Sequence, residues 1–212
     1  MLYSLFRPLL FGLDPETAHC VTFSALDKAY RFGLLPMHPI VCPPRNVMGL
    51  EFPNPVGLAA GLDKNGEYIN ALATLGFGFT EIGTVTPLPQ PGNPKPRLFR
   101  HIKERALINR MGFNNNGATK MARLLKRQKN IIPVGINIGK NKNTPIESAV
   151  KDYEIAFTAL ADHASYIAVN VSSPNTPNLR ELQEKKPLTE LLKRLQDLNS
   201  KRTRQVPILL KI

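Results

Sequence analysis

Residues 167–180, IAVNVSSPNTPNLR, begin as an apolar, β-branched run and end in a cluster of Asn, Ser and Pro. A short apolar run that ends in turn-forming residues is typical of a strand buried on both faces of a parallel sheet. The polar end of this run contains neither an acid nor a histidine. The stretch therefore predicts a buried strand whose carboxyl end carries neutral hydrogen-bonding side chains.

Four further apolar runs resemble this one and alternate with helical patterns from about residue 46 onward. The runs are PVGLAAG (55–61), FTEIGTVT (79–86), IIPVGINIG (131–139) and VPILLKI (206–212). The helical patterns are NGEYINALATLG (65–76), GATKMARLLKRQKN (117–130), ESAVKDYEIAFTALAD (147–162) and PLTELLKRLQDLNSK (187–201). Each pattern is long enough for a crossover helix, so the order predicts successive parallel βαβ units.

The segment 87–116 is too long for a plain connection between a strand and a helix. Within it, RLFRHI (97–102) and ALINRM (106–111) flank the charged residues KER (103–105). This arrangement predicts a β-hairpin that rises above the sheet.

Polar residues follow every apolar run at its carboxyl end, where α/β barrels and open α/β sheets both carry their sites. An open nucleotide-binding sheet would show a phosphate-binding motif, and both candidate motifs fail. GFGFTE (76–81) has Glu81 in place of a third glycine, and GINIGKN (135–141) is one residue too short for a P-loop and has Asn141 instead of Ser or Thr. The sequence therefore favours an α/β fold of the TIM (β/α)8 type, although a doubly wound sheet stays open. The polar residues at the strand ends are Gly61, Asp63, Lys64, Thr84, Asn137, Lys140, Asn170, Ser173 and Lys211.

The composition is that of a globular protein, since 212 residues with 42% hydrophobic content can bury one sizeable core. Cys20 and Cys42 lie far apart, so we predict neither a disulfide framework nor a metal site, and a reducing compartment fits best. The formal net charge is +12. Much of the excess lies in two helical stretches, 120–130 and 191–204, where a solvated helix face is the simplest interpretation.

The N-terminal region, residues 1–45, has a different pattern from residues 46–212, which we take as the main domain. An apolar stripe at helical spacing predicts a first helix that is too short to span a bilayer. Asp14 followed by Pro15 is a helix-start signal and predicts a second amphipathic helix. Two such helices either pack on the main domain or lie on a membrane, and the pattern alone leaves both open. The stripe consists of Leu2, Leu5, Phe6, Leu9 and Leu10.

Five motifs together resemble family 2, the quinone-dependent dihydroorotate dehydrogenases. The motifs are NPVGLAAGLDKNGE (54–67), EIGTVTPLPQPGNPKPRLFR (81–100), LINRMGFNNNG (107–117), GINIGKNKNTP (135–145) and NVSSPNTPNLR (170–180). The resemblance implies a TIM barrel preceded by a small helical domain that sits on the membrane and forms the quinone entrance. It also implies an FMN enzyme of pyrimidine (UMP) biosynthesis, which oxidises (S)-dihydroorotate to orotate and reduces a membrane quinone. Such an enzyme is a peripheral membrane protein, expected at the cytoplasmic face of a bacterial inner membrane.

The resemblance also assigns roles to individual residues. Oxidation of dihydroorotate removes a hydride from one carbon and a proton from its neighbour, so the protein must supply a base. By resemblance the base is Ser173, where soluble relatives use cysteine, and its proton relay is expected to run through a threonine and ordered water. The residues expected to hold the pyrimidine are Lys64, Asn109, Arg110, Met111, Gly112, Phe113, Asn170 and Asn175, with Lys64 at the carboxylate. The residues expected to hold FMN are Ala60, Gly61, Lys64, Thr84, Asn137, Asn170 and Lys211, with Lys211 inside the barrel near the flavin ring.

The residues alone allow plainer interpretations. Ser172 and Ser173 before Pro174 can simply end a strand, and a single asparagine at such a position is often a cap or turn residue. A Ser-His-Asp hydrolase is less attractive because there is no GxSxG motif. The four histidines also lie outside the strand-end clusters: His19, His38, His101 and His163.

Length is the one departure from the family, because the chain reaches Ile212 at its fifth predicted barrel strand. A TIM barrel has eight strands and about 250 residues. We therefore expect an N-terminal portion of the enzyme, with about five of eight βα units. A catalytically silent half-barrel that binds a partner stays open as a second hypothesis. A basic nucleic-acid-binding protein is a third, although the chain shows no recognisable nucleic-acid motif and the resemblance implies no nucleic-acid partner.

Overall fold

A computed structural model describes residues 2–36 and 40–212, without the side chains of Leu2 and Tyr3. The described residues form a five-stranded parallel sheet with helices on one face, two small antiparallel hairpins and two N-terminal helices. In chain order the elements are α1 (Leu2–Gly12), α2 (Pro15–Arg31), β1 (Arg45–Val47), β2 (Leu50–Phe52), β3 (Gly57–Leu58), α3 (Ile69–Ala73), β4 (Phe79–Val85), β5 (Leu98–His101), β6 (Ala106–Asn109), α4 (Ala118–Leu125), β7 (Val134–Ile138), α5 (Ala149–Leu160), β8 (Tyr166–Asn170), α6 (Lys185–Ser200) and β9 (Ile208–Lys211).

The strands of the main sheet follow one another in chain order, β3-β4-β7-β8-β9, and every neighbouring pair is parallel. In a doubly wound sheet the strand order reverses at a switch point, whereas consecutive strands stay neighbours throughout a barrel. The observed order therefore confirms the predicted α/β fold as part of a TIM-type barrel. It rules out the doubly wound alternative for the described residues.

The two faces of the sheet differ in character because side chains alternate along each strand. On the outer face, Ile136 of β7 and Val169 of β8 belong to the same buried apolar cluster as Phe157 of α5. The inner face instead carries Asn137 and Asn170, which alternate with those apolar residues. The helices thus bury the outer face, and two of the polar residues predicted at the strand ends, Asn137 and Asn170, lie on the inner one.

The hairpin β1–β2 covers the amino end of the inner face and has no counterpart in the sequence prediction. Phe52 of β2 packs edge-on against Phe79 at the start of β4, with ring centroids 5.2 Å apart. Tyr166 and Ala168 of β8 lie in the same small cluster. Each strand of this hairpin has only three residues, too few for an alternation that sequence analysis could detect.

The two predicted N-terminal helices are present as α1 and α2. The Asp14 carboxylate accepts hydrogen bonds from the backbone N–H groups of Glu16 and Thr17, each at 3.0 Å, and Pro15 is the first helical residue of α2. α2 packs beside α3 and β5. Among the described residues, every helix is too short or too polar to cross a membrane.

Three of the four predicted crossover helices are present as α4, α5 and α6, although α4 ends at Leu125, five residues before the end of its predicted pattern. The fourth, α3, spans only Ile69–Ala73 instead of residues 65–76. The carboxylate of Asp63 explains the difference, since it accepts the backbone N–H groups of Glu67 (3.0 Å) and Tyr68 (2.8 Å) and holds the preceding residues in a turn. The hairpin predicted within 87–116 is confirmed as β5 paired with β6.

Candidate active site

Three neutral side chains from neighbouring strands form a hydrogen-bonded row on the inner face, which we call the amide row: Thr84, Asn137 and Asn170. The hydroxyl of Thr84 donates to Oδ1 of Asn137 at 2.5 Å, and Nδ2 of Asn170 donates to Oγ1 of Thr84 at 2.9 Å. All three residues are buried. Because a buried polar group is costly without a hydrogen bond, the row keeps each side chain in one orientation.

Glu81 of β4 fixes the orientation of the side chains in the amide row. It lies on the inner face of the sheet, two residues before Gly83. Its Oε1 accepts from Nδ2 of Asn137 at 2.8 Å, and its Oε2 accepts from the hydroxyl of Tyr166 at 3.3 Å. An ionised carboxylate can only accept, so Asn137 must turn its NH2 group toward Glu81 and its carbonyl oxygen toward Thr84. Burial and the charge of Glu81 raise the pKa of Tyr166, which keeps the phenol protonated as a donor.

The amide row keeps unused donors. Each asparagine NH2 group has two N–H bonds, and the hydrogen bonds to Glu81 and Thr84 use one on each residue. Asn137 and Asn170 therefore each have an N–H left for a ligand with carbonyl or ring-nitrogen acceptors.

The loop after β8 extends the amide row toward the sheet edge. Oδ1 of Asn170 accepts from both the backbone N–H and the hydroxyl of Ser172, each at 3.1 Å, and Nζ of Lys211 lies 3.4 Å from Oγ of Ser172. Oγ of half-buried Ser173 accepts the backbone N–H of Asn175 at 3.2 Å. Within the described chain the Ser173 hydroxyl donates no hydrogen bond, so its proton is available to another group.

Lys211 pairs with Asn170 in the parallel register of β8 and β9, which places it on the inner face of the sheet. Its side chain is exposed. Its ammonium group nevertheless stands beside the loop that carries Ser172 and Ser173.

Lys64 lies next to the predicted pyrimidine-binding segment 109–113. Its Nζ donates to the backbone oxygen of Gly112 at 3.2 Å. Burial, with a smaller contribution from the Arg97 charge, lowers the pKa of Lys64 to about 8, and the charge of Glu16 partly opposes this shift. A desolvated ammonium group is suited to binding a carboxylate, which would restore the lost solvation with a charge-assisted hydrogen bond.

The other side chains of segment 109–113 point to different surroundings. Asn109 is exposed at the end of β6. Arg110 turns away from Lys64, because its guanidinium donates to the backbone oxygen of Pro96 and lies 5.4 Å from the Phe99 ring centroid. Phe113 is buried in the core. In this structure the segment therefore approaches Lys64 through its backbone.

Gly61 provides open backbone at the end of β3. It has a φ of 111°, which L side chains rarely adopt, and no atom lies within 4 Å of the position where a Cβ would stand. Its N–H donates to the backbone oxygen of Gly83 at 2.9 Å, which fixes the turn. The exposed surface of Gly61, next to half-buried Ala60, lets a flat ligand approach the main chain closely.

A charged contact joins this site to α2. Arg97 donates to the carboxylate of Glu16 through Nε at 3.0 Å and Nη2 at 2.6 Å, and its Nη1 donates to the backbone oxygens of Pro91 and Asn93. Glu16 also lies 3.5 Å from Nζ of Lys95. The charges of Glu16 and Arg97 both act on the pKa of Lys64. The N-terminal helices therefore influence the site.

Sequence reasoning assigned no role to Glu81 or to the pair of Glu16 and Arg97. Glu81 did leave a signal, since it is a charged residue within an apolar strand. The pair left none, because its members are 81 residues apart. Three histidines lie away from the amide row as predicted, on α2 (His19), on β5 (His101) and after α5 (His163), while His38 lies outside the described residues.

Comparison with known proteins gives a consistent result. The family model described as dihydroorotate dehydrogenase matches residues 44–212. A protein of Nitrosospira multiformis named dihydroorotate dehydrogenase (quinone) is 57% identical over 216 residues, covering 100% of this chain and 62% of the relative. Proteins of the same name from Acinetobacter baylyi and Nitrosomonas europaea are 56% and 54% identical to this chain. Both matches cover 100% of this chain, and they cover 64% and 63% of the two relatives, respectively. The chain thus spans less than two thirds of the length of these relatives.

Solved structures give the same picture. A crystal structure of Eimeria tenella DHODH in complex with ferulenol superimposes with a TM-score of 0.82 at 35% identity, covering 96% of this chain and 62% of the other. The ligand-free form from the same organism has a TM-score of 0.80 at 39% identity, covering 91% and 55%.

Proposed function

The chain belongs to the dihydroorotate dehydrogenase family, and from this membership we propose that it serves the FMN-dependent oxidation of (S)-dihydroorotate to orotate in pyrimidine biosynthesis, with a quinone as electron acceptor. The quinone class is supported by the names of the relatives, which are similar along the whole of this chain. The observation that carries the proposal is the amide row. It offers uncharged donors and acceptors on the inner face of the sheet, and the loop that carries Ser173 begins directly after its last member, Asn170.

The residues present fit FMN. A flavin ring system offers neutral carbonyl and ring-nitrogen acceptors, for which the unused N–H groups of Asn137 and Asn170 are suitable partners. Ala60 and Gly61 give close access to the main chain. Lys211 would place positive charge near a ring that becomes electron-rich on reduction, which stabilises it. Together with Thr84 and Lys64, these residues are the ones we propose to hold the cofactor.

The protein's own part in the reaction is binding and proton transfer. Lys64 would bind the substrate carboxylate, and Asn109, Asn170 and Asn175 would bind the amide groups of the pyrimidine. Ser173 would remove the proton from the carbon next to the one that loses the hydride and would pass its own hydroxyl proton to a relay through a threonine and ordered water. No described residue accepts that hydroxyl proton, so it is free to enter the relay. FMN, when bound, supplies the acceptor for that hydride.

We further propose that residues 1–45 form a membrane-contacting unit for quinone access and residues 46–212 the catalytic unit. Support comes from α1, on which Leu5, Phe6 and Leu9 are exposed although they form an apolar stripe. Exposed apolar helices of this kind lie at membrane surfaces. A peripheral protein at the cytoplasmic face of a bacterial inner membrane would have this arrangement.

The decisive experiment uses an extended chain. In it, residues 1–212 are followed by the residues of the Nitrosospira multiformis relative that come after its match to this chain. We expect purified extended chain to be yellow and its flavin to be reduced by dihydroorotate and reoxidised by a quinone. The matched control is the same extended chain with Ser173→Ala. Bound flavin that dihydroorotate fails to reduce would refute the assignment, because every residue proposed for catalysis lies within 1–212.

The 212-residue chain is measured in parallel for orotate binding by calorimetry. Binding of an unrelated protein in a pull-down, together with no affinity for orotate or FMN in either form, would favour the silent half-barrel.

A further inference from the structure

The hairpin β5–β6 exposes more apolar surface than its position explains. All four residues of β6 are exposed, and Ile102, Leu107 and Ile108 are each more than half accessible. A two-stranded hairpin has little stability of its own in water and usually buries one face against another element. Within the described part of the chain nothing covers these three aliphatic side chains.

The hairpin is fixed to the first N-terminal helix through Arg100. Its guanidinium donates to the backbone oxygens of Leu13 at 2.7 Å and Leu10 at 3.3 Å, which satisfies carbonyl groups at and just beyond the end of α1. The Phe11 ring centroid lies 4.9 Å from the guanidinium carbons of both Arg7 and Arg100. The hairpin and α1 therefore act as one unit, and their apolar side chains form a joint surface.

A basic cleft of about 740 Å³ lies between α1 and the hairpin tip. Its charged lining consists of Arg7, Arg100, Lys103 and Arg105. The only carboxylate at this tip is Glu104. None of the four cations forms a salt bridge within the described chain, so their charge is available to an anionic partner.

We propose that the hairpin β5–β6 is a second membrane-docking element that binds anionic phospholipid. Ile102 and Leu107 enter the headgroup and acyl-chain boundary, while Arg7, Lys103 and Arg105 bind lipid phosphates. Cations that surround aliphatic side chains match a charged bilayer surface, which offers phosphate above hydrocarbon. A single-stranded nucleic acid would instead require exposed aromatic side chains for base stacking, and the three exposed apolar residues here are aliphatic.

This inference deepens the proposed function and rests on it only for the contact made by α1. It adds that the barrel domain itself touches the lipid, so the membrane orientation is fixed at two points. A protein held by α1 alone could rotate about that helix, whereas contact through the hairpin prevents this rotation.

The chain contains no tryptophan, so a single introduced tryptophan reports its own surroundings. We compare Leu107→Trp on the hairpin, Leu5→Trp on α1 and Thr189→Trp, an exposed position on α6 that serves as the control. With vesicles of phosphatidylcholine and phosphatidylglycerol, we expect a blue shift and protection from iodide quenching for the first two variants and no change for the third. A shift at Leu5→Trp with none at Leu107→Trp would overturn the hairpin contact but leave the α1 contact standing. Unchanged tryptophan emission in both Leu5→Trp and Leu107→Trp would contradict both membrane contacts.

Charge variants test the phosphate contacts separately. The double variant Lys103→Gln with Arg105→Asn should weaken binding to phosphatidylglycerol vesicles by about tenfold or more, because each basic residue near an anionic surface contributes about a factor of five. Asparagine suits residue 105, whose φ is +50°. The control Lys185→Gln with Lys186→Gln removes the same charge from α6 and should bind as the parent does. An equal loss of vesicle binding in the two double variants would refute the lipid assignment. A shift of the Leu107→Trp emission with RNA but not with vesicles would also refute it.

Discussion

The carboxylate of Glu16 on α2 accepts two hydrogen bonds from the guanidinium of Arg97, at 2.6 and 3.0 Å, and so ties the N-terminal helices to the segment that enters the hairpin β5–β6. Arg97 is only 6% exposed. The pair also lies close enough to Lys64 to influence its pKa. A contact between two parts of the chain therefore reaches the proposed substrate-binding lysine.

We expect Glu16→Gln to lower the free energy of unfolding by about 1.5 to 3 kcal/mol, because the buried Arg97 guanidinium loses its charge-assisted hydrogen bonds to the carboxylate. The control Lys95→Gln removes the exposed partner of Glu16 and should change stability by less than about 1 kcal/mol. Chemical denaturation of both variants measures the difference. Arg97 lowers the pKa of Glu16, so the stabilisation should be present at neutral pH and disappear in the parent chain as the pH falls through the carboxylate range. Equal stability of the two variants would show that the pair does not hold α2 in place.

Orotate binding should weaken as the pH rises above about 8. Lys64, whose pKa is lowered to about 8, is protonated below that pH and loses its charge above it. A bound carboxylate favours the charged form and raises the pKa of Lys64 in the complex, so affinity falls by up to about tenfold per pH unit between the two pKa values. Titration of the extended chain with orotate from pH 6 to about 10 measures this. A Lys64→Arg variant, charged throughout, should show a flat profile over the same range.

Lys64→Ala should weaken orotate binding more than FMN binding. The ammonium group lies beside Gly112 in the segment proposed to close around the pyrimidine, and loss of a charge-assisted hydrogen bond costs about 1.5 to 3 kcal/mol. Orotate titration and flavin content of the extended chain give both values. Unchanged orotate affinity would mean that Lys64 is a solvated loop lysine with no role in the site.

Ser173→Ala in the extended chain should leave FMN bound but slow flavin reduction by dihydroorotate about 100-fold or more, the usual scale for the loss of a positioned base. Stopped-flow absorbance follows this step without the quinone reaction. Ser173→Cys should retain part of the rate, because a thiol is the more acidic group and forms its conjugate base more readily. Reduction of the alanine variant at the parental rate would remove Ser173 from the mechanism.

Glu81→Gln should disturb the amide row more than Tyr166→Phe does. A glutamine can donate as well as accept, so Asn137 is no longer forced to turn its carbonyl oxygen toward Thr84. We expect flavin affinity to fall about fivefold or more in the first variant, which corresponds to one weakened hydrogen bond of about 1 kcal/mol. Tyr166→Phe removes the hydroxyl that donates to Glu81 but keeps the carboxylate that orients Asn137. Equal flavin affinity in both would show that the charge of Glu81 does not orient the site.

Deletion of residues 1–35 from the extended chain should leave dihydroorotate able to reduce FMN but slow reoxidation by a long-chain quinone. The apolar surface of α1 is lost, while the amide row and Ser173 remain. Vesicle binding should also decrease but not vanish, because the hairpin β5–β6 is retained. Unaltered quinone turnover would show that the two helices only cap the barrel.

The sequence was sufficient to predict the alternation of strands and helices, the N-cap at Asp14 and the hairpin within 87–116. These features depend on local patterns, namely runs of apolar residues, turn chemistry and helix-start signals that act over a few residues. The sequence also placed Thr84, Asn137 and Asn170 at the carboxyl ends of predicted strands, where folds of this class carry their sites.

Only the tertiary structure decided which of these residues orient one another. The direction of the amide row depends on Glu81, and the link from α2 to Lys64 depends on Glu16 and Arg97, which are distant in sequence. The same holds for the hairpin β1–β2. Its strands are too short for a periodic signal, and Phe52 packs against the ring of Phe79 only in the folded chain. Hydrogen bonds and charge pairs between distant segments leave no periodic trace in a sequence, because their geometry exists only after the chain has folded.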